Sequence, residues 1–355
     1  MYGLTFSDWR RLLWDNRYAV EPRYFLRALQ ITLLSLRASR WRSKELERYG
    51  SRIAQAEILP PLFVLGHWRN GTSLIHDLLS LDPQFAYANL FQITHPHTCL
   101  SLESRVEKAL AGQSPVKRPM DNMEVTFRSP GEDEMALAIL SLCSPLIAWS
   151  FPKRQEHYDR YLTFRNVPPE ELEEWKEIFL NYMKKLTLRY GRPLLLKSPP
   201  HTGRVRILLE LLPRSRFVHV YRNPYVVFRS TQHLHRTAIA ATQLQTPRAG
   251  EADEGILRRY REMYEAYFEE KHLIPPGQLC EIRFEDLEQD LIGNVRRVYE
   301  TLNLTGFAEV LPKLEEYVAS HRGYKKNKYD PLPEPIRQRV AQEWRRSFEE
   351  WGYPL

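Results

Sequence analysis

The stretch Pro61 to Leu79, PLFVLGHWRNGTSLIHDLL, constrains the fold more than any other part of this chain. Leu62, Phe63, Val64 and Leu65 are a short apolar run of strand-leaning residues, which predicts a buried strand. Gly66 ends it. His67, Trp68, Arg69 and Asn70 form a four-residue loop, Gly71 turns the chain again, and Thr72 and Ser73 stand at a helix start. Leu74, Ile75, Leu78 and Leu79 recur at helical spacing and give that helix a core face. A strand, a glycine-bounded loop and a helix N-terminus together expose backbone N–H groups and a positive helix end, which is how a chain cradles phosphate.

The spacing Gly66-x-x-x-x-Gly71 is that of a nucleotide P-loop, but Thr72 stands where a P-loop has lysine, and the basic residue lies inside the loop as Arg69. Two further strands follow in βα order. Pro193–Leu196 ends in Lys197, and Phe217–Tyr221 ends in Arg222, with Ser230 on the helix after it. Leu279–Ile282 reads as a fourth. The alternation predicts an α/β fold, a central parallel sheet flanked by helices, with ligands beyond the carboxyl ends of the strands. Arg69, Lys197 and Arg222 all fall at such ends.

At 355 residues and 43 % hydrophobic, the chain can bury one large core or two modest ones. Residues 1–55 read as a helical extension and 56–355 as the α/β domain. The net charge is +7, and +6 of it lies in residues 1–52, so the remainder is near neutral. That balance, without helix-turn-helix or zinc-finger spacing, argues against nucleic acid as a partner. In the extension Phe25, Leu29, Leu33 and Leu36 step along one helical face among arginines. Such a helix either lies on an anionic membrane or packs on the domain.

Cys99, Cys143 and Cys280 are far apart and suggest a reducing compartment rather than disulfides. His95, His97 and Cys99 alternate, but Pro96 breaks the run and no second ligand pair follows, so no metal site is expected. With no signal peptide and no long apolar run, the expected location is cytoplasmic, with peripheral membrane contact open through residues 1–52. Residues 84–130 read as a long ordered loop, 242–255 as a flexible loop or lid, and 336–348 as a closing helix. Ser129-Pro130-Gly131 opens a helix with Glu132, Asp133 and Glu134 in its first turn.

Residues 58–330 resemble the sulfotransferases that use 3′-phosphoadenosine 5′-phosphosulfate (PAPS), most of all the bacterial type with a G-x-x-R-[SN]-G-T-[ST] loop. The resemblance implies that Gly66 to Ser73 hold the 5′-phosphosulfate. It implies that Arg222 and Ser230 of FVHVYRNPYVVFRS hold the 3′-phosphate, and that Lys197 of LLLKSP approaches the transferring sulfuryl group. RFEDL at 283–287 matches a weaker motif, and HRGYKKNKY at 321–329 loosely echoes a basic phosphate loop. Cytosolic members place a catalytic histidine two residues after the lysine; here that residue is Pro199. A hydroxyl acceptor must lose a proton, so Glu132, Glu134, His97 and His201 are the candidate bases, with Glu132 first. The expected reaction is sulfuryl transfer to a hydroxyl, less readily an amine, of a small-molecule, glycan or lipid acceptor. Arg69 and Lys197 would stabilise the developing charge. A kinase holds a metal with an Asp at a strand end; here cations stand there, so a P-loop-like kinase is the second reading and no metal is expected. A peripheral membrane protein with a vestigial site is the third.

Overall fold

A computed structural model describes residues 3–110, 112, 114–248, 250–321, 323, 327 and 329–355. The segment 321–329 therefore lies largely outside the described residues. Strands β1 (Leu62–Leu65), β4 (Leu195–Lys197), β5 (Arg216–Tyr221) and β6 (Leu279–Arg283) form one parallel sheet in the order β4-β1-β5-β6. Strands β2 (Val116–Lys117) and β3 (Glu124–Val125) form a separate antiparallel hairpin. Because β1 lies between β4 and β5, the chain leaves it to one side and returns on the other. The loop after β1 thus opens at the switch point where parallel sheets bind ligands.

Both faces are buried at β1, β4 and β5, which is why they read as mainly apolar runs, while the edge strand β6 alternates. Phe63 stacks on Phe217 (centroids 5.6 Å apart) and Phe179 (6.5 Å) on one face. Leu62 and Val64 join Leu195, Val218 and Val220 in the cluster on the other.

The extension comprises helices Phe6–Asp15 and Phe25–Gln55. Leu4, Trp9, Leu12 and Ile31 enter the same core cluster as Phe63 and Phe217. The long helix packs with Ile31, Ser35, Glu45 and Ile53 inward. The Phe25–Leu36 stripe is on its other side and exposed. Residues 84–130, expected as loop, contain helices Leu90–Thr94 and Cys99–Ala109 and the β2–β3 hairpin. Asn89 caps the first of these by a reciprocal exchange with Gln92, a local signal inside a weakly periodic segment. The expected lid is shorter than 242–255, since the helix Glu251–Glu270 begins within it, led by Glu251, Asp253 and Glu254. The closing helix is two, Glu334–Glu343 and Arg345–Trp351.

Candidate active site

Gly66 and Gly71 sit at φ +134° and +93°, conformations that favour glycine. A Cβ on Gly66 would stand 2.4 Å from the Val220 carbonyl, and one on Gly71 2.1 Å from the Phe284 ring. Arg69 also takes positive φ, +74°. The loop is held by buried groups. Gly66 N–H donates to Thr202 Oγ1 (2.7 Å) and His67 N–H to Tyr264 Oη (3.1 Å). Asn70 Nδ2 donates to Tyr264 Oη (2.6 Å) and to the Val220 carbonyl (3.0 Å). Trp68 packs edge-on to His67 and near Trp149. Burial pushes the His67 imidazole down to about 3, so it is a neutral structural ring. The helix Thr72–Ser80 starts at Gly71. The N–H groups of Gly71, Thr72 and Ser73 have no acceptor among the described residues, as an anion cradle requires.

Arg69 crosses to the next element. Its Nε donates to Ser230 Oγ (2.9 Å) and its Nη1 pairs with Asp121 Oδ2 (2.9 Å), while its carbonyl accepts from Arg222 Nη1 (3.1 Å). Sequence reasoning keeps Arg69 with the loop amides, apart from Arg222 and Ser230; the structure joins the three into one cluster. Arg222 stacks its guanidinium on Phe284 at 4.2 Å, and its buried Nε has no hydrogen-bond partner among the described residues. Burial lowers its pKa, as expected of a cation awaiting an anion. Ser230 Oγ also lies 3.2 Å from Tyr329 Oη.

At the end of β4 three consecutive acids meet three bases. Glu132 Oε1 accepts from Lys197 Nζ at 2.7 Å, Asp133 Oδ2 lies 2.6 Å from His201 Nε2, and Glu134 takes Arg204 in two bonds of 2.7 and 2.9 Å. Glu132 is the N-cap residue of the helix Asp133–Ser141, so successive side chains diverge around the helix start. Only Glu132 keeps contact with solvent: its side chain is 24 % exposed, against 2 % for Asp133 and 0 % for Glu134 and Arg204. Glu134 also accepts from Ser144 Oγ, and Arg204 donates to the Tyr161 carbonyl, so that pair is satisfied and structural. His201 is wholly buried against Phe63 and Phe179. His97 is not brought to the site; its Nε2 faces Asp8 of the first helix at 3.2 Å.

Sequence reasoning missed Asp121, Tyr264 and Asp77. Asp121 sits in the β2–β3 turn and also binds Arg118 (2.7 Å). Tyr264 comes from a helix two hundred residues after the loop it holds. Asp77 looks like one more residue of an amphipathic helix; burial pushes its carboxyl up to about 6 against the pull of Arg118 and Lys197. No local pattern marks any of the three.

A parallel sheet with an amide cradle at its switch point and arginine and lysine at its strand ends defines an enzyme that transfers an anionic group from a nucleotide-like donor. The chain belongs to the sulfotransferase family: residues 60–309 match the model of the Sulfotransferase family. It is 35 % identical, over 99 % of its own length and 90 % of the relative's, to omega-hydroxy-beta-dihydromenaquinone-9 sulfotransferase Stf3 of Mycobacterium bovis, and equally to that of Mycobacterium tuberculosis. Two crystal structures share the fold. They are sulfotransferase STF1 from Mycobacterium tuberculosis (15 % identity, TM-score 0.67, covering 97 % of this chain and 93 % of that one) and sulfotransferase STF9 from Mycobacterium avium (20 %, 0.64, 87 % and 82 %). The protein is a sulfotransferase; the kinase reading is the weaker one.

Proposed function

We propose that the protein transfers the sulfuryl group of PAPS to a hydroxyl of a small-molecule or lipid acceptor, with Glu132 as the base. The observation that carries this is the Glu132–Lys197 pair, 2.7 Å long and open to solvent on the carboxylate side, at the strand end next to the loop amides. The amides of Gly71 to Ser73 would take the 5′-phosphosulfate, and the orphaned Arg222 Nε with Ser230 and Arg69 would take the 3′-phosphate. Glu132 accepts the acceptor's proton as its oxygen attacks sulfur. Lys197 then faces the charge left on the bridging phosphate oxygen as the sulfur–oxygen bond breaks. These cations supply the neutralisation that a kinase obtains from Mg²⁺, so EDTA is expected to leave transfer unchanged.

A lipid acceptor fits the relative, which is named for a menaquinone derivative. Such an acceptor would be met at a membrane surface, and residues 1–52 are the part of the chain suited to lie there. The test is transfer from labelled PAPS across soluble hydroxyls, amines and quinol-like lipids, with EDTA throughout. Sulfated product supports the reading. Absence of any sulfation, with Mg²⁺-dependent phosphorylation from ATP instead, would sink it.

A further inference from the structure

The helix Phe25–Gln55 spans 31 residues, about 46 Å, and its two sides differ in kind. Ile31, Ser35, Glu45 and Ile53 pack inward. The opposite side carries Phe25, Leu26, Leu29, Leu33 and Leu36, all exposed, with Leu26 at 84 % and Leu33 at 57 %. At about 100° per residue, Leu26, Leu29 and Leu33 share an arc of ~80° with Arg37, Arg40 and Lys44 further along. One line along the helix is therefore apolar in its first half and mainly basic in its second, where the exposed Glu47 is its one acid. The first helix lies antiparallel beside it, fixed by Trp9 Nε1 on Thr32 Oγ1 and Phe6 N–H on Ser39 Oγ, both 2.8 Å. Trp14 and Tyr18, also exposed, thus fall toward the apolar half.

Most acids of this layer are paired, while Asp15 and Glu47 are exposed, Glu47 on the basic half of the same arc. Glu45 turns inward to Lys185 (2.5 Å), Asp8 faces His97, and Glu21 pairs with Lys153 (2.7 Å). Arg23, Arg37, Arg40, Lys44 and Arg48 are exposed and make no ion pair among the described residues. An apolar patch beside exposed cations, with aromatic rings at its edge, matches an anionic bilayer: hydrocarbon for the leucines, headgroup phosphates for the bases, and the boundary for Trp14 and Tyr18. No helix among the described residues is long and apolar enough to cross a membrane, so the contact is in the interface plane.

We infer that the outward face of Phe25–Gln55 docks the enzyme on an anionic lipid surface, apolar half inserted and basic half on the headgroups. This rests on the reading of the acceptor as lipid and names the surface that serves it. The test is co-sedimentation of the full chain, without nucleotide, with phosphatidylcholine vesicles with and without about 40 % phosphatidylglycerol at ~50 mM salt. Binding is expected to the anionic vesicles and to fall steeply with salt. Arg37→Glu with Arg40→Glu should weaken it by about 25-fold or more, at roughly fivefold per basic residue. Leu29→Glu with Leu33→Glu should weaken it by about a hundredfold, at roughly tenfold or more per buried leucine. Both variants should keep the wild-type melting temperature and sulfate a soluble hydroxyl acceptor at the wild-type rate. Failure of the wild type to bind, or equal binding by the variants, overturns the inference; so does a wild-type dimer that Leu29→Glu with Leu33→Glu turns into monomer. Binding is read without nucleotide and transfer without vesicles, so docking and sulfuryl transfer can each fail alone.

Discussion

At the strand ends, Glu132, Asp133, Glu134 and Asp121 each meet a base, and the cations are buried (Lys197) or half-buried (Arg69, Arg222). In the N-terminal layer Glu45 turns inward to Lys185, and Arg37, Arg40, Lys44 and Arg48 outnumber the exposed Glu47 in water beside exposed leucines. The contrast separates two uses of positive charge. Desolvated cations held by acids and backbone can grip a small anion at fixed geometry, because low dielectric strengthens each contact and packing fixes direction. Solvated cations on a helix can only address an extended anionic surface, with long-range and salt-sensitive attraction.

The sharpest way to break this comparison is at Glu132. Glu132→Gln keeps the shape and a hydrogen-bonding side chain but removes the proton acceptor. It is expected to lower kcat by about 10²–10⁴-fold while nucleotide affinity changes little. Steady-state rates with calorimetric binding read both, and a variant within about threefold of wild type would move the role of base elsewhere, with Asp77 the next group to test. Glu134→Gln is the control for position: it strands Arg204, so its effect should be on stability, on the order of 3–5 kcal/mol, rather than on chemistry alone.

Next in size is the coupling between Arg222 and the 3′-phosphate. Arg222→Ala should weaken the 3′,5′-bisphosphate nucleotide about ten- to a hundredfold and leave the 3′-dephospho form nearly unchanged. Two proteins against two nucleotides measure it by calorimetry. Equal weakening of both ligands would make Arg222 a structural residue of the Phe284 stack.

The smallest effect is on stability with pH. The folded pKa of Asp77, about 6, lies above its ordinary value. Its ionised form is therefore disfavoured in the fold; the associated stability is full below about pH 3.8 and lost as pH rises through about 6. Asp77→Asn should melt a few degrees higher than wild type at pH 7.5 and no differently at pH 4. An unchanged difference across that range would mean that the carboxylate is already paired, and that the cleft is less desolvated than its neighbours indicate.

The sequence alone determined the strand–loop–helix at 61–79, the parallel βα order and the positions of Lys197 and Arg222 at or just past the ends of β4 and β5. These follow from local facts: an apolar run, glycines at positions of positive φ, and periodicity that switches from strand to helix. Tertiary structure decided the rest. Glu132, Asp133 and Glu134 are adjacent and chemically alike. Only the placement of Lys197, His201 and Arg204, some 65 to 70 residues on, leaves the first open to solvent and buries the other two. The stripe Phe25–Leu36 would look the same against a core or against water, because periodicity defines a face and not what covers it. Here Ile31, Ser35, Glu45 and Ile53 took the inward side. His97 went to Asp8 and Arg69 to Ser230 for a similar reason. A side chain's partner is set by which surfaces the packed sheet and helices bring within hydrogen-bond reach, and sequence spacing carries no information about that across more than a few turns of chain.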